Sequence, residues 1–88
     1  MGLVALNNVI RKDSPIYYRH LYTGIAVVEV AGRRREARID FVVETNPWGA
    51  RATTVDILES IDYPALVLQK ELKNAIEYLD FQNKLPHQ

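Results

Sequence analysis

The chain has 88 residues, equal numbers of basic and acidic side chains, and no cysteine. This length predicts one domain, 1–88, which buries only roughly 60 to 65% of the surface of its unfolded chain, so self-association would add useful stability. The lack of cysteine excludes disulfides, thiolate metal sites and thiol catalysis, and it makes the cytosol the default location. No apolar run is long enough to span a bilayer and the N-terminus lacks signal-peptide features, so we expect a soluble cytoplasmic protein without membrane contact.

The charges are unevenly distributed between the two halves of the chain. Residues 1–38 carry seven basic and three acidic side chains, whereas residues 39–88 carry four basic and eight acidic ones. Such a dipolar layout suits an anionic partner on one side, or head-to-tail pairing with a second copy, and it does not distinguish between the two.

The N-terminal segment, 1–15, shows apolar residues at helical spacing. Leu3, Leu6 and Ile10 recur every three to four residues, which predicts a short helix over 3–11. A helix that precedes a sheet commonly packs on it, so this segment is one candidate to lie across an otherwise open sheet face.

A β-meander is predicted over 16–60. Strand formers are frequent from Ile16 to Val30, where Gly24 predicts a bend or bulge, and residues 36–45 alternate between apolar and polar side chains. We expect a turn through Gly32–Arg35 between these two strands. The register that matches apolar with apolar residues sets Val30 opposite Ala37, Val28 opposite Ile39, and Ala26 opposite Phe41.

The third predicted strand, roughly 51–59, follows a turn signal that contains the chain's only tryptophan. Asn46-Pro47-Trp48-Gly49 has the composition of a type I β-turn, here within a five-residue loop, Asn46–Ala50. The expected register sets Val43 opposite Thr53, Phe41 opposite Val55, and Ile39 opposite Ile57. Trp48 is expected to fold partly back over the sheet end; the alternative is that the ring is displayed as an interface anchor.

A C-terminal helix is predicted within 62–84, from about residue 63 to 83. Asp62 is the expected N-cap, and Pro64 is tolerated in the first turn. One apolar stripe of this helix consists of Ala65, Leu68, Leu72, Ala75, Ile76 and Leu79. The predicted fold is therefore α+β, a three-stranded antiparallel β-meander with this helix packed on one face.

Surplus apolar residues outside the predicted core indicate a protein-binding surface. The second sheet face would carry Ile25, Val27, Val42 and Leu58 among polar residues, and one flank of the helix carries Val67, Tyr78, Phe81 and Leu85. Together with Trp48, these helix residues are the candidate partner-binding residues. The favoured function is a small non-catalytic protein-interaction or oligomerisation module, with a homodimer as the favoured assembly.

The alternative function is binding of RNA or single-stranded nucleic acid. Basic side chains neutralise phosphates, and interleaved aromatic rings stack on unpaired bases. The candidate residues are Arg33, Arg34 and Arg35 in the hairpin, together with Arg19, Tyr18 and Tyr22.

The evidence for catalysis is confined to one pair of carboxylates. Asp40 and Asp56 face each other in the expected register, an arrangement that can share a proton or hold a hard cation. His20 and His87 have no partner at ligand spacing. We therefore predict no catalytic residues, no metal site and no cofactor.

The predicted order of helix, three strands and helix is similar to that of double-stranded-RNA-binding domains. Those domains carry a lysine cluster at the start of the final helix, where this chain has "SIDYPALVLQKE", with no basic residue before Lys70. The likeness is one of element order and implies no residue roles.

Overall fold

A computed structural model describes residues 2–86, in which a four-stranded antiparallel sheet is covered on one face by a C-terminal helix. The strands are β1 (Gly2–Lys12), β2 (Arg19–Val30), β3 (Arg33–Thr45) and β4 (Arg51–Ile57), and the helix is α1 (Ala65–Phe81). The order β1-β2-β3-β4 follows the sequence. The α+β class, the antiparallel meander and the C-terminal helix are confirmed, and the predicted number of three strands is wrong because the N-terminal segment adds a fourth.

The N-terminal segment forms the edge strand β1, so the helix predicted over 3–11 is wrong, and the segment does not lie across the open sheet face. It pairs with β2, and its register shifts between Leu3 and Ala5 and again between Asn7 and Ile10. Each shift is a β-bulge that inserts one extra residue. The core-packed side chains of β1, Leu3, Leu6 and Val9, therefore recur every three residues instead of every two. Two bulges thus imitate helical spacing. The likeness in element order to double-stranded-RNA-binding domains fails with the predicted helix.

Gly24 of β2 lies opposite the second bulge. The bend or bulge predicted at this glycine occurs in its partner strand, whereas β2 itself pairs with β3 without interruption. A Cβ at Gly24 would lie 3.4 Å from the Leu6 and Val9 side chains and from the Asn7 carbonyl oxygen. The missing side chain leaves room for the bulged strand to approach.

The β2–β3 hairpin turns through only two residues, Ala31 and Gly32. Both have positive φ, 51° and 76°, as in the type I′ turns whose twist matches that of the flanking strands. Ala26 consequently faces Ala37, so the predicted register is wrong by four residues. Because four is an even number, every side chain stays on the face to which it was assigned.

The β3–β4 register is confirmed. Val43 lies opposite Thr53, Phe41 opposite Val55, and Ile39 opposite Ile57. β4 is the shorter strand, so it pairs with only part of β3.

Helix α1 completes the core. It begins after Pro64, and no side chain caps its N-terminus by hydrogen bonding, so the predicted Asp62 cap is wrong. Leu68, Leu72 and Ile76, one turn apart, are its buried residues. On the sheet side the buried cluster consists of Tyr22, Ala26, Val28, Ile39, Phe41 and Val43. Within residues 2–86, no helix has the length and apolarity needed to cross a membrane.

Glu71 joins the helix to the edge strand. Its Oε2 accepts a hydrogen bond from the Leu3 backbone N–H at 3.2 Å, and its Oε1 accepts one from the Tyr63 hydroxyl at 2.6 Å. This hydrogen bond to Glu71 raises the pKa of Tyr63. One carboxylate therefore holds together α1, β1 and the segment that leads into the helix.

Candidate interaction surfaces

Exposed aromatic side chains are concentrated at one end of the molecule. The chain contains five tyrosines, two phenylalanines and one tryptophan. The exposed ones are Tyr17, Tyr18, Trp48, Tyr78 and Phe81, which we call the aromatic end. Tyr22, Phe41 and Tyr63 pack in or against the core.

Two polar contacts bring these aromatic residues to the same end of the sheet. The Thr45 N–H donates to the Tyr18 carbonyl at 3.0 Å, which ties the β1–β2 connection to the end of β3. Arg51 Nη1 lies 2.6 Å from Asp80 Oδ1, which ties the start of β4 to the last turn of α1. The loop that contains Trp48 lies between Thr45 and Arg51 in the chain.

Trp48 is displayed by a hydrogen-bonded loop. The Gly49 N–H donates to the Asn46 carbonyl at 2.9 Å, which confirms the predicted turn. Asn46 Oδ1 also accepts hydrogen bonds from the N–H groups of Trp48 and Ala50, at 3.0 and 2.9 Å. The Trp48 side chain is 87% exposed. The prediction that the ring folds back over the sheet end is therefore wrong, and the alternative of a displayed ring describes the structure.

The β1–β2 connection presents two tyrosines in a similar way. Ser14 Oγ accepts a hydrogen bond from the Ile16 N–H at 3.2 Å, and the Arg19 N–H donates to the Ile16 carbonyl at 3.0 Å. The resulting turn places Tyr17 and Tyr18 edge to face, with ring centroids 5.5 Å apart. Between this turn and the Trp48 loop lies an open groove of about 710 Å³, lined by Tyr17, Tyr18, His20, Glu44, Thr45, Asn46 and Pro47.

His20 is the titratable base of this groove, and it is half-buried. Burial lowers its pKa, and the nearby charges of Arg11 and Arg51 lower it further. The neutral imidazole is therefore the favoured form at neutral pH.

Helix α1 contributes two of the predicted partner-binding residues to the aromatic end and does not contribute the other two. Tyr78 and Phe81 lie in its last turns and are 62% and 87% exposed. Val67 is half-exposed but lies three turns earlier, roughly 16 Å along the helix axis from Tyr78. Leu85 is only 5% exposed and packs in the core, so its assignment to the partner-binding flank is wrong.

The charges at the aromatic end are largely compensated within the chain. Arg19 Nε lies 3.6 Å from Glu44 Oε2, in addition to the Arg51–Asp80 pair. This end therefore combines apolar rings with a near-neutral charge balance.

The opposite end of the sheet carries the arginine-rich hairpin. Arg33, Arg34 and Arg35 are exposed, and they form no ion pair within residues 2–86. β2 runs from Arg19 to Val30, so the arginines and the tyrosines are separated by on the order of 35 Å.

The structure does not bring together the residues predicted to bind nucleic acid. Tyr22 is buried and stacks on Phe41, with ring centroids 4.9 Å apart, so it offers no surface for a base. Arg19 is paired with Glu44, and Tyr18 lies at the aromatic end. Only the three hairpin arginines remain as a common surface.

The uncovered sheet face contains the predicted carboxylate pair. Asp40 lies directly opposite Asp56, as expected, but Lys12 Nζ is 3.4 Å from Asp40 Oδ1. Within residues 2–86, no group of three or more metal-ligating side chains is present. Val27, expected to add apolar surface here, is only 6% exposed. His87 lies outside the described residues.

Sequence reasoning missed one surface feature, the outer edge of β3. β3 has thirteen residues and β4 has seven, so Arg33–Arg38 extend beyond the β4 pairing. The signal was present in the sequence as an arginine-rich run without an equally long following strand. It was hidden because the turn was placed at Gly32–Arg35.

A four-stranded antiparallel sheet with one helix and a cluster of displayed aromatic residues defines a small α+β domain. Over residues 1–81, the sequence matches the model of a protein family that is designated by a locus code and not by a function, and the chain belongs to this family. Neither the curated proteins nor the solved structures contain a match.

Proposed function

We propose that this protein is a small non-catalytic interaction module that forms a homodimer through its aromatic end. The observation that carries the proposal is the display of Trp48 on a hydrogen-bonded loop, beside the exposed Tyr17 and Phe81. Trp and Tyr are enriched among the residues that dominate binding energy, and their large rings lose little entropy on binding. A surface already held in shape loses less free energy to ordering when a partner binds.

The charge distribution favours a second copy as the partner at this end. Arg19 and Arg51 are neutralised by Glu44 and Asp80, so two aromatic ends approach each other without strong like-charge repulsion. The arginine-rich hairpin, in contrast, would repel its own copy. Dimerisation through the aromatic end also adds buried surface to a chain that is short for a monomeric domain. The cytoplasmic location predicted from the absence of cysteine is part of the same proposal.

The solution mass tests the assembly directly. Light scattering at micromolar concentration is expected to give twice the 10.1 kDa of one chain. Tyr78→Glu combined with Phe81→Glu places two charges among the rings and is expected to give the monomer mass. Leu66→Glu is the matched control, because Leu66 is 81% exposed near the opposite end of the same helix; it is expected to leave the dimer intact. A monomeric parent protein, or equal effects of both variants, would refute the proposed interface.

A second candidate function is binding of single-stranded nucleic acid at the hairpin. It is supported by three adjacent exposed arginines that form no ion pair within residues 2–86. Without stacking partners at that end, such binding would be electrostatic and steeply dependent on salt. It predicts retention of random-sequence RNA at low salt, which is lost when all three arginines are replaced.

A further inference from the structure

The outer edge of β3 presents unpaired backbone groups. On its inner side, Arg33–Arg38 pairs with β2 along its whole length. On its outer side, β4 pairs only with Ile39–Thr45, and no strand within residues 2–86 covers the rest. We call Arg33–Arg38 the free edge.

The hydrogen bonds of Arg38 show which backbone groups of the free edge point outward. Its N–H donates to Glu59 Oε1 at 2.7 Å, and its carbonyl accepts from the Leu58 N–H at 2.9 Å. Both groups therefore point away from β2. Because backbone groups in an antiparallel strand alternate between its two sides, the N–H and C=O groups of Arg34 and Glu36 also point outward.

Glu59 demonstrates the ligand chemistry that suits this edge. Its carboxylate accepts the Arg38 N–H and also lies 3.4 Å from the guanidinium Nε of the same residue. An outward N–H and an adjacent arginine thus bind one carboxylate together, as charge-assisted hydrogen bonds do. Beyond Arg38, the same combination recurs without an internal carboxylate.

The side chains of the free edge are arranged for a strand with alternating carboxylates. Arg33 and Arg35 share the helix-side face of the sheet with Ala37, and Arg34 lies on the other face with Glu36. Residues two apart on a strand are separated by roughly 7 Å, and an added strand has the same spacing. A segment with acidic residues at every second position would place successive carboxylates beside Arg33 and Arg35.

We propose that the free edge binds an extended acidic segment of a partner protein by β-strand addition. The backbone of the segment pairs with the outward groups of Arg34 and Glu36, and its carboxylates pair with Arg33 and Arg35. Main-chain hydrogen bonds supply affinity in this mode, and side-chain positions supply selectivity. This surface lies at the opposite end of the sheet from the aromatic end, so the inference does not depend on dimerisation.

The first test uses a fluorescent octapeptide in which glutamate alternates with valine or threonine. Fluorescence anisotropy is expected to show saturable binding that weakens as salt is added. The same peptide with lysine in place of glutamate is expected not to bind. Arg33→Gln with Arg35→Gln is expected to weaken binding at least about tenfold, which corresponds to the loss of two charge-assisted contacts. The single variant Arg34→Gln, on the other face, is expected to have a smaller effect.

The second test separates backbone pairing from charge attraction at one residue. Glu36→Pro removes an outward N–H that makes no bond to β2, a position where an edge strand tolerates proline. It also removes a negative charge, which on charge attraction alone would strengthen binding of an acidic peptide. We expect roughly tenfold weaker binding for Glu36→Pro and slightly tighter binding for its control, Glu36→Gln. If the proline variant does not fold, a peptide N-methylated at alternate residues tests the same hydrogen bonds on the unmodified protein.

Three outcomes would overturn the inference. The first is equal binding of the acidic and lysine peptides. The second is unchanged affinity after Glu36→Pro or peptide N-methylation, which would leave charge attraction as the whole effect. The third is binding of random-sequence single-stranded RNA in preference to the acidic peptide, with the same dependence on Arg33 and Arg35, which would make the hairpin a nucleic-acid surface.

Discussion

Replacing Trp48 with alanine tests whether the displayed ring acts in association or in folding. The side chain is 87% exposed, so the remaining 13% of an aromatic surface of up to about 250 Å² is about 30 Å². At about 25 cal/mol per Å², Trp48→Ala costs the folded monomer only about 0.8 kcal/mol. If assembly covers half of the exposed area, about 110 Å², each ring contributes about 2.7 kcal/mol to association. The dissociation constant of the dimer is then expected to rise roughly a hundredfold for each ring lost.

The parent protein carries its own reporter, because Trp48 is the only tryptophan. On dilution from micromolar to nanomolar concentration, its fluorescence emission is expected to shift to the red as the ring becomes hydrated. Sedimentation equilibrium then compares the association of the parent with that of Trp48→Ala, and urea unfolding followed by circular dichroism compares their stability. A stability loss of several kcal/mol with unchanged association would show that the ring belongs to the fold, and would refute the reasoning.

Two further predictions concern the loop and groove of the aromatic end. Asn46→Ala removes the acceptor for two backbone N–H groups and is expected to cost roughly 1 kcal/mol and to weaken dimerisation; faster amide exchange at Trp48 and Ala50 checks it, and unchanged exchange contradicts it. The lowered pKa of His20 means that the folded state favours the neutral imidazole, so this contribution to stability is full above the ordinary value of 6.5 and is lost as pH falls through it towards the lower folded pKa. The unfolding free energy between pH 7.5 and 5 is expected to fall less in His20→Gln than in the parent, and equal slopes would contradict the assignment.

The sequence predicted the elements of the fold where one pattern dominated. The alternation of β3 identified its core face, and that face fixed the β3–β4 register, because a shift by one residue would have set Ile39 against Asp56. The β2–β3 register was wrong because a shift of four residues keeps every side chain on the same face, so pattern matching cannot detect it. The two-residue turn decided it, with Ala31 adopting a positive φ that composition does not advertise.

The surfaces were less predictable than the core. Exposure of Trp48 depends on the bonds made by Asn46 Oδ1, and composition alone gives no measure of such a loop's stiffness. Leu85 was misplaced because it follows the end of α1 at Phe81, where helical periodicity no longer applies. Tyr22 was assigned to two roles, in a strand and on a base-stacking platform, and its position opposite Phe41 decides for the core.

The neighbour-only strand order has a consequence for how the chain folds. Closing the two-residue turn between β2 and β3 costs little loop entropy, and hairpins of this kind form in about 1–10 µs. The outer strands then add to a hairpin that already exists. Helix α1 alone contacts both edges, through Glu71 on β1 and Asp80 on β4, so its docking is the least local event. Until it docks, Ile39, Phe41 and Val43 face water along one side of a nearly complete sheet. The most aggregation-prone species on the folding pathway is therefore an almost native meander that still lacks its helix.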